Sequence, residues 1–169
     1  MKDRCLYRLS DCGSGLSGLG EKDDMKGKIL SVNISKEKCE KKKNIGTCQF
    51  VRDMGIANDA HAGPGIRQIS FLSRDSIEKI RAKGLDVGYG DFAENITTEG
   101  IVLHLLPVGT KLKISGKVLV KVTQIGKECH ERCNIFRQVG DCVMPREGIF
   151  VEVLTGGEVK IGDSIEVLP

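Results

Sequence analysis

The pattern that most limits this chain is a succession of short apolar and polar alternations, broken by glycine-bearing turns, that runs from about Met25 to the C-terminus. Alternation with a period of two marks a strand with one face in a core and the other in water. Lys28 to Ile34, Thr47 to Arg52, Arg67 to Leu72, Lys111 to Ile114, Val118 to Ile125, Ile149 to Leu154, Glu158 to Ile161 and Ser164 to Leu168 all read this way. Ser115-Gly116 joins two of them as a hairpin. One stretch is helical instead: Ser73 offers an N-cap to Asp75 through Lys83, Ile77 and Ile80 share a face, and Gly84 stands where a left-handed residue ends a helix. Strands at this density, with one or two short helices, predict an all-β or β-dominated fold. A closed or nearly closed β-barrel would remove the edges that an open sheet leaves exposed.

With 169 residues and 40% hydrophobic content, the chain can bury one core of ordinary size. Its 26 basic and 23 acidic residues leave a net charge of +3, a mixed surface that calls for no nucleic acid. Lys41-Lys42-Lys43 therefore reads as part of a solvated connection, Lys36 to Lys43, between two strands. Residues 1–24 carry Gly13, Gly15, Gly18 and Gly20 among polar residues without an apolar period, and read as a disordered tail or upstream extension before a domain over 25–169. No apolar run is long enough for a membrane span. Seven cysteines, an odd number in a domain that needs no staples, point to free thiols in a reducing cytoplasm. Cys5 and Cys12 fall in the tail, and Cys39 and Cys48 read as filler.

The chemistry gathers in Ile125-Gly126-Lys127-Glu128-Cys129-His130-Glu131-Arg132-Cys133-Asn134. Two cysteines with a histidine and an arginine between them follow directly on a strand. Nearby cations (Lys127, His130, Arg132, Arg137) favour the thiolate that binds soft metals or holds a persulfide, and Glu128 and Glu131 oppose them. Cys142, in Gly140-Asp141-Cys142-Val143-Met144-Pro145, is a third candidate, a resolving thiol that would turn a persulfide into a disulfide. Cys129, His130, Cys133 and Cys142 could supply four zinc donors, but no second closely spaced cysteine pair accompanies the first, so no zinc is expected.

Five pieces in order carry a resemblance. They are Gly55-Ile56 with Asp59-Ala60-His61-Ala62-Gly63; Arg67-Gln68-Ile69-Ser70; Gly90-Asp91-Phe92-Ala93-Glu94-Asn95-Ile96-Thr97; the Cys129 cluster; and Gly156-Gly157 with Gly162-Asp163. From Met25 to Pro169 the chain resembles the MOSC domain, the family named for the C-terminal domain of molybdenum cofactor sulfurase, in its standalone bacterial form. The resemblance implies a barrel that binds the molybdenum cofactor (molybdopterin) and acts as a sulfur or cofactor carrier through a reactive cysteine. Pyridoxal phosphate binding also attaches to the family at a general level. Two alternatives stay open. One is a molybdenum-dependent reductase of N-hydroxylated compounds, with cysteine-ligated molybdenum and a separate electron donor protein; the other is a non-catalytic interaction module. Whether the chain is an enzyme is left open with them. Partners would be the cofactor itself or a molybdoenzyme acceptor, with neither nucleic acid nor membrane involved.

By the same resemblance Cys129 and Cys133 are the catalytic candidates. Cys129, the first cysteine after the strand, leads as the molybdenum ligand, and Arg132-Cys133 is similar to an Arg-Cys pair of eukaryotic reductases. Asp59, His61, Arg67, Gln68, Asn95 and Arg132 are the candidates for holding the cofactor. Arg67 can grip a phosphate with two hydrogen bonds, and Gln68 and Asn95 can both donate and accept along a pterin edge. Asn58 stands where many relatives have glycine, and asparagine tolerates the left-handed conformation. Gly156-Gly157 and Gly162-Asp163 read as turns that close the last hairpins.

Overall fold

The computed structural model describes residues 26–38, 40–127, 129 and 132–169. The expected tail over 1–24, with Cys5 and Cys12, and the residues Cys39, Glu128, His130 and Glu131 lie outside them. Besides one 3-10 turn (Leu103–Leu105), eleven strands and three short α-helices follow one another among the described residues. In chain order they are β1 (Lys26–Ile34), β2 (Lys43–Asn44), β3 (Thr47–Val51), β4 (Gly55–Ile56), β5 (Ile69–Ser73), α1 (Arg74–Arg81), β6 (Ile96–Glu99), β7 (Lys111–Ile114), β8 (Val118–Ile125), α2 (Asn134–Val139), α3 (Met144–Glu147), β9 (Ile149–Thr155), β10 (Gly157–Lys160) and β11 (Ser164–Leu168).

Seven strands close into a barrel, in the order β11, β7, β8, β9, β5, β6, β1 and back to β11. Every neighbouring pair is antiparallel except β5 and β6, which run parallel with α1 between them in the chain. Alternation does what it should: Val118, Val120 and Val122 point into the core from β8 while Leu119 and Lys121 between them are only partly covered. Phe71, Ile29, Ile96, Leu112, Ile114, Val151 and Ile165 meet these valines in one apolar cluster. Burying such side chains contributes roughly 1.5–3 kcal/mol each, which is why a chain with so few aromatics still holds a core.

The expected elements are present, with three helices where one or two were expected. Ser73 caps α1 by accepting from the Ser76 N–H at 3.2 Å, and Ile77 and Ile80 pack inward against Val87, Phe92, Val143 and Phe150. The β7–β8 turn has positive φ at both Ser115 and Gly116, as a tight hairpin requires. Two readings need correction. Gly156-Gly157 and Gly162-Asp163 do not close hairpins: β9 and β11 stay in the barrel, while β10 between them leaves to pair with β3 in a separate sheet, β10-β3-β4. The connection Lys36 to Lys43 is not wholly solvated either, because β2 pairs with the end of β1 and Lys42 is buried while Lys41 and Lys43 are exposed.

Candidate functional site

A cleft of about 660 Å³ opens beside the barrel, and most of the chemistry-bearing side chains meet there. The segment after β8 contributes Lys127, Cys129, Cys133 and Cys142 to its lining, and Lys42, His61, Arg67, Gln68 and Asn95 join them from other parts of the chain. Gly126 ends β8 and turns the chain at φ +71, its N–H donating to the Gly148 carbonyl at 2.6 Å, so that Lys127 and Cys129 leave the barrel toward the cleft. Cys133 is the N-cap of α2, and Gly140 ends that helix in the left-handed conformation. The chain then returns Cys142, whose N–H donates to the Asp141 carboxylate at 2.8 Å; Lys83 and Arg146 hold that same carboxylate.

The thiols differ. Cys129 and Cys133 are exposed, whereas Cys142 is buried. Burial, together with the neighbouring thiols of Cys133 and Cys129, pushes the Cys142 thiol up to about 11. Cys48, buried in the core as filler, is pushed up to about 12 by burial and by the charges of Asp163 and Asp59.

Lys42 is the residue that sequence reasoning missed. Its ammonium donates to Asp59 Oδ1 at 2.6 Å and lies 3.3 Å from His61 Nδ1, with the side chain 2% exposed. Asp59 also accepts from the Ser35 N–H at 3.0 Å and the His61 N–H at 3.2 Å. Burial opposes its ionisation, but these hydrogen bonds outweigh burial and hold the carboxyl below the usual range. Burial, followed by the Lys42 charge, lowers the His61 pKa, so the ring is neutral at pH 7. With Nδ1 facing the ammonium as an acceptor, its proton sits on Nε2. Three consecutive lysines carry no apolar period, so no signal in the sequence marks Lys42, the inward member of an exposed, buried, exposed run leading into β2.

The other candidates divide. Arg67 is exposed on the cleft with its guanidinium 6.0 Å from the Phe150 ring centre, and no carboxylate pairs with it among the described residues. Gln68 and Asn95 line the cleft but spend polar atoms on the backbone. Gln68 accepts from the Val153 N–H at 2.9 Å and donates to the Gly65 carbonyl at 2.9 Å. Asn95 accepts from the Ser70 N–H and hydroxyl, both at 3.1 Å, and donates to the Asn33 carbonyl at 3.1 Å, clamping β5 to β1. Arg132 stacks on Phe136 at 4.7 Å and is not among the residues that line the cleft. Asn58 takes φ +65, as its tolerance of that conformation allows.

The loop before β6 completes the walls. Gly90 lies so close to Lys42 that a Cβ there would overlap the Lys42 carbonyl, and its N–H donates to Glu94 at 2.6 Å. Ala93 is held at φ +61, a conformation that costs a non-glycine residue about 1 kcal/mol. Glu94 is fully buried and also accepts from the Phe92 N–H and the Thr97 hydroxyl. Burial, partly offset by these bonds, raises its pKa from 4.5 to about 7. A folded pKa above the unfolded one means that the fold binds the extra proton, so this contribution is present below 4.5 and is lost as pH rises to about 7. The expected loss is roughly 3 kcal/mol, opposed in part by His61. Urea unfolding at pH 5 and pH 8 should show it, and Glu94→Gln should flatten that slope whatever its absolute stability.

The fold and site define a small closed β-barrel protein with a cleft lined by both thiols and cations. The chain belongs to the MOSC domain family, whose profile matches residues 58–166. That family is associated with the molybdenum cofactor. In structure the chain is similar to the YuaD protein of Bacillus subtilis, at 21% identity and a TM-score of 0.71, over 85% of this chain and 96% of that one. It is also similar to YiiM of Geobacillus stearothermophilus (18% identity, TM-score 0.63, 85% of this chain and 75% of that one). YiiM of Escherichia coli gives 16% identity and a TM-score of 0.59, over 86% of this chain and 70% of that one. No curated protein matches the chain in sequence. Among the described residues no helix is long and apolar enough to cross a membrane, and no group of three His, Cys, Asp or Glu side chains gathers to hold a metal.

Proposed function

We propose that the cleft binds the molybdenum cofactor and that the protein carries cofactor or sulfur through Cys129. The observation that supports this most is the juxtaposition of exposed Cys129 and Cys133 with Lys42, Arg67 and Lys127 around one cavity of about 660 Å³. That volume suits a pterin-sized ligand. A cysteine is the soft donor that molybdenum takes, and the cations suit the ligand's phosphate. When bound, the cofactor supplies two-electron redox and sulfur-accepting chemistry. The chain's own residues orient it: Arg67 has its guanidinium free to take a phosphate, and Lys127 lines the same cavity as a second cation, while Lys42 is held by Asp59. Neutral His61 offers an Nε2–H as a proton donor. Pyridoxal phosphate is a poorer fit, because the one buried amine of the cleft is already held by Asp59.

Purified protein loaded with cofactor is expected to retain molybdenum and oxidised-pterin fluorescence, and Cys129→Ser to lose most of both while unfolding in urea at the wild-type midpoint. Undiminished retention in that variant would remove Cys129 from the role and pass it to Cys133. Turnover of a hydroxylamine by the loaded protein with a supplied reductant would assign the cleft to reduction of N-hydroxylated compounds instead. Failure of loading in every form would leave an interaction module.

A further inference from the structure

The cleft holds two more thiols than cofactor ligation through Cys129 needs, and one of them, Cys142, is not exposed. Cys142 is buried at 8% exposure, yet it lines the same cavity as Cys133 and Cys129, and its thiol adjoins that of Cys133. Its position is built. Gly140 reverses the chain after α2, Asp141 takes the Cys142 N–H, and the ion pairs from Asp141 to Lys83 and Arg146 anchor the turn to α1 and α3. Cys142 packs in the apolar cluster with Phe92, Val143 and Phe150 on one side, and lines the cleft together with Cys133 on the other.

We propose that Cys133 and Cys142 work as a dithiol that reduces a sulfane sulfur to hydrosulfide inside the cleft, leaving Cys129 to hold the cofactor. This rests on the sulfur-carrier reading and adds the means of release. In the first step the Cys133 thiolate attacks the outer sulfur of a persulfide or polysulfide donor. A bond forms from Cys133 Sγ to that sulfur, the donor's S–S bond breaks, and the donor leaves as a thiolate. In the second step Cys142 Sγ attacks Cys133 Sγ, the bond to the outer sulfur breaks, and that sulfur departs with the electron pair and the Cys142 proton as hydrogen sulfide. The sulfane sulfur gains two electrons, and the two cysteine sulfurs lose one each as the disulfide forms. An external dithiol resets the pair by taking up its own disulfide.

Each thiol falls on its own tryptic peptide, 128–132, 133–137 and 138–146, so the bridge can be located directly. Reduced protein is treated with inorganic polysulfide, freed of excess, and followed for released sulfide and for peptide masses. Wild type is expected to release sulfide while peptides 133–137 and 138–146 become linked. Cys142→Ser is expected to keep the extra sulfur on 133–137 and to release it at least about tenfold more slowly until a thiol is added. Equal release from both proteins, or a bridge joining 128–132 to 133–137, would overturn the proposal. If Cys142→Ser fails to fold, the wild-type bridge decides alone. Sulfur uptake without that bridge defeats only this inference, whereas no uptake on any of the three peptides defeats the sulfur-carrier reading with it. Cofactor retention by Cys129 is read separately.

Discussion

Replacing Lys42 with methionine is expected to lower the unfolding free energy by about 3–5 kcal/mol, because Asp59 would then be a buried carboxylate without its counter-ion. The lost ammonium sits 2.6 Å from Asp59 Oδ1, and both side chains are almost completely covered, so water cannot replace it. The double variant Lys42→Met with Asp59→Asn should recover much of the loss, since no uncompensated charge remains. Urea unfolding of the two single variants and the double variant gives the coupling directly. A single-variant loss below about 1 kcal/mol would mean that the pair behaves like an exposed ion pair. The pH dependence gives a second check. Asp59's folded pKa lies below its ordinary 3.8, so its stabilising contribution is complete above that value and is lost as pH falls through the folded one. In Lys42→Met this acid-sensitive contribution should shrink, because the ammonium's hydrogen bond and charge no longer favour the carboxylate against burial.

Gly126→Ala is expected to cost about 2–4 kcal/mol, since it combines a left-handed backbone with a collision. Gly126 has φ +71, and a Cβ there would overlap the Pro145 carbonyl oxygen, which is backbone and has nowhere to move. Gly46→Ala separates the two causes. Its φ is +77 with nothing within 4 Å of the new Cβ, so it should cost only about 1 kcal/mol. Because Gly126 aims the segment that carries Cys129, its alanine variant should also change the alkylation rate of that thiol, whereas Gly46→Ala should leave it alone. Similar losses in the two variants would show that the overlap is relieved by a shift of α3.

Most of the barrel strands could be read from the chain because one face is wet, and a wet face writes the period of two into the sequence; β6, covered almost throughout, was not expected. Partners over long distances leave no such mark. Nothing in Gly157 to Lys160 says that it abandons β9 and β11 to pair with β3, more than a hundred residues earlier. The cleft was legible as a set of residue types in order, which is how Cys129, Cys133, His61 and Arg67 were found to share it. What stayed hidden was how each polar atom is spent. Gln68 and Asn95 look like ligand-binding amides, yet their carboxamides hold strands together. Lys42 was hidden by its own neighbours, for a buried lysine between two exposed ones has the composition of a solvated run.

The number of staves in the barrel has a consequence for the cleft. Going once around a closed ring of strands, direction must return to where it started, and seven antiparallel contacts would reverse it an odd number of times. A seven-stave ring therefore cannot alternate throughout; one contact must be parallel, and here it is β5 with β6. Parallel neighbours cannot be joined by a tight turn, because the chain has to travel back the full length of the strand before it can re-enter. That return journey is α1 and the loop after it, residues 74–95, and it is this loop that supplies Leu85, Val87, Phe92, Ala93 and Asn95 to the lining of the cleft, where Val87 and Phe92 share an apolar cluster with Cys142. An even-numbered barrel could have closed with hairpins alone, and would have given the thiols no such wall to pack against.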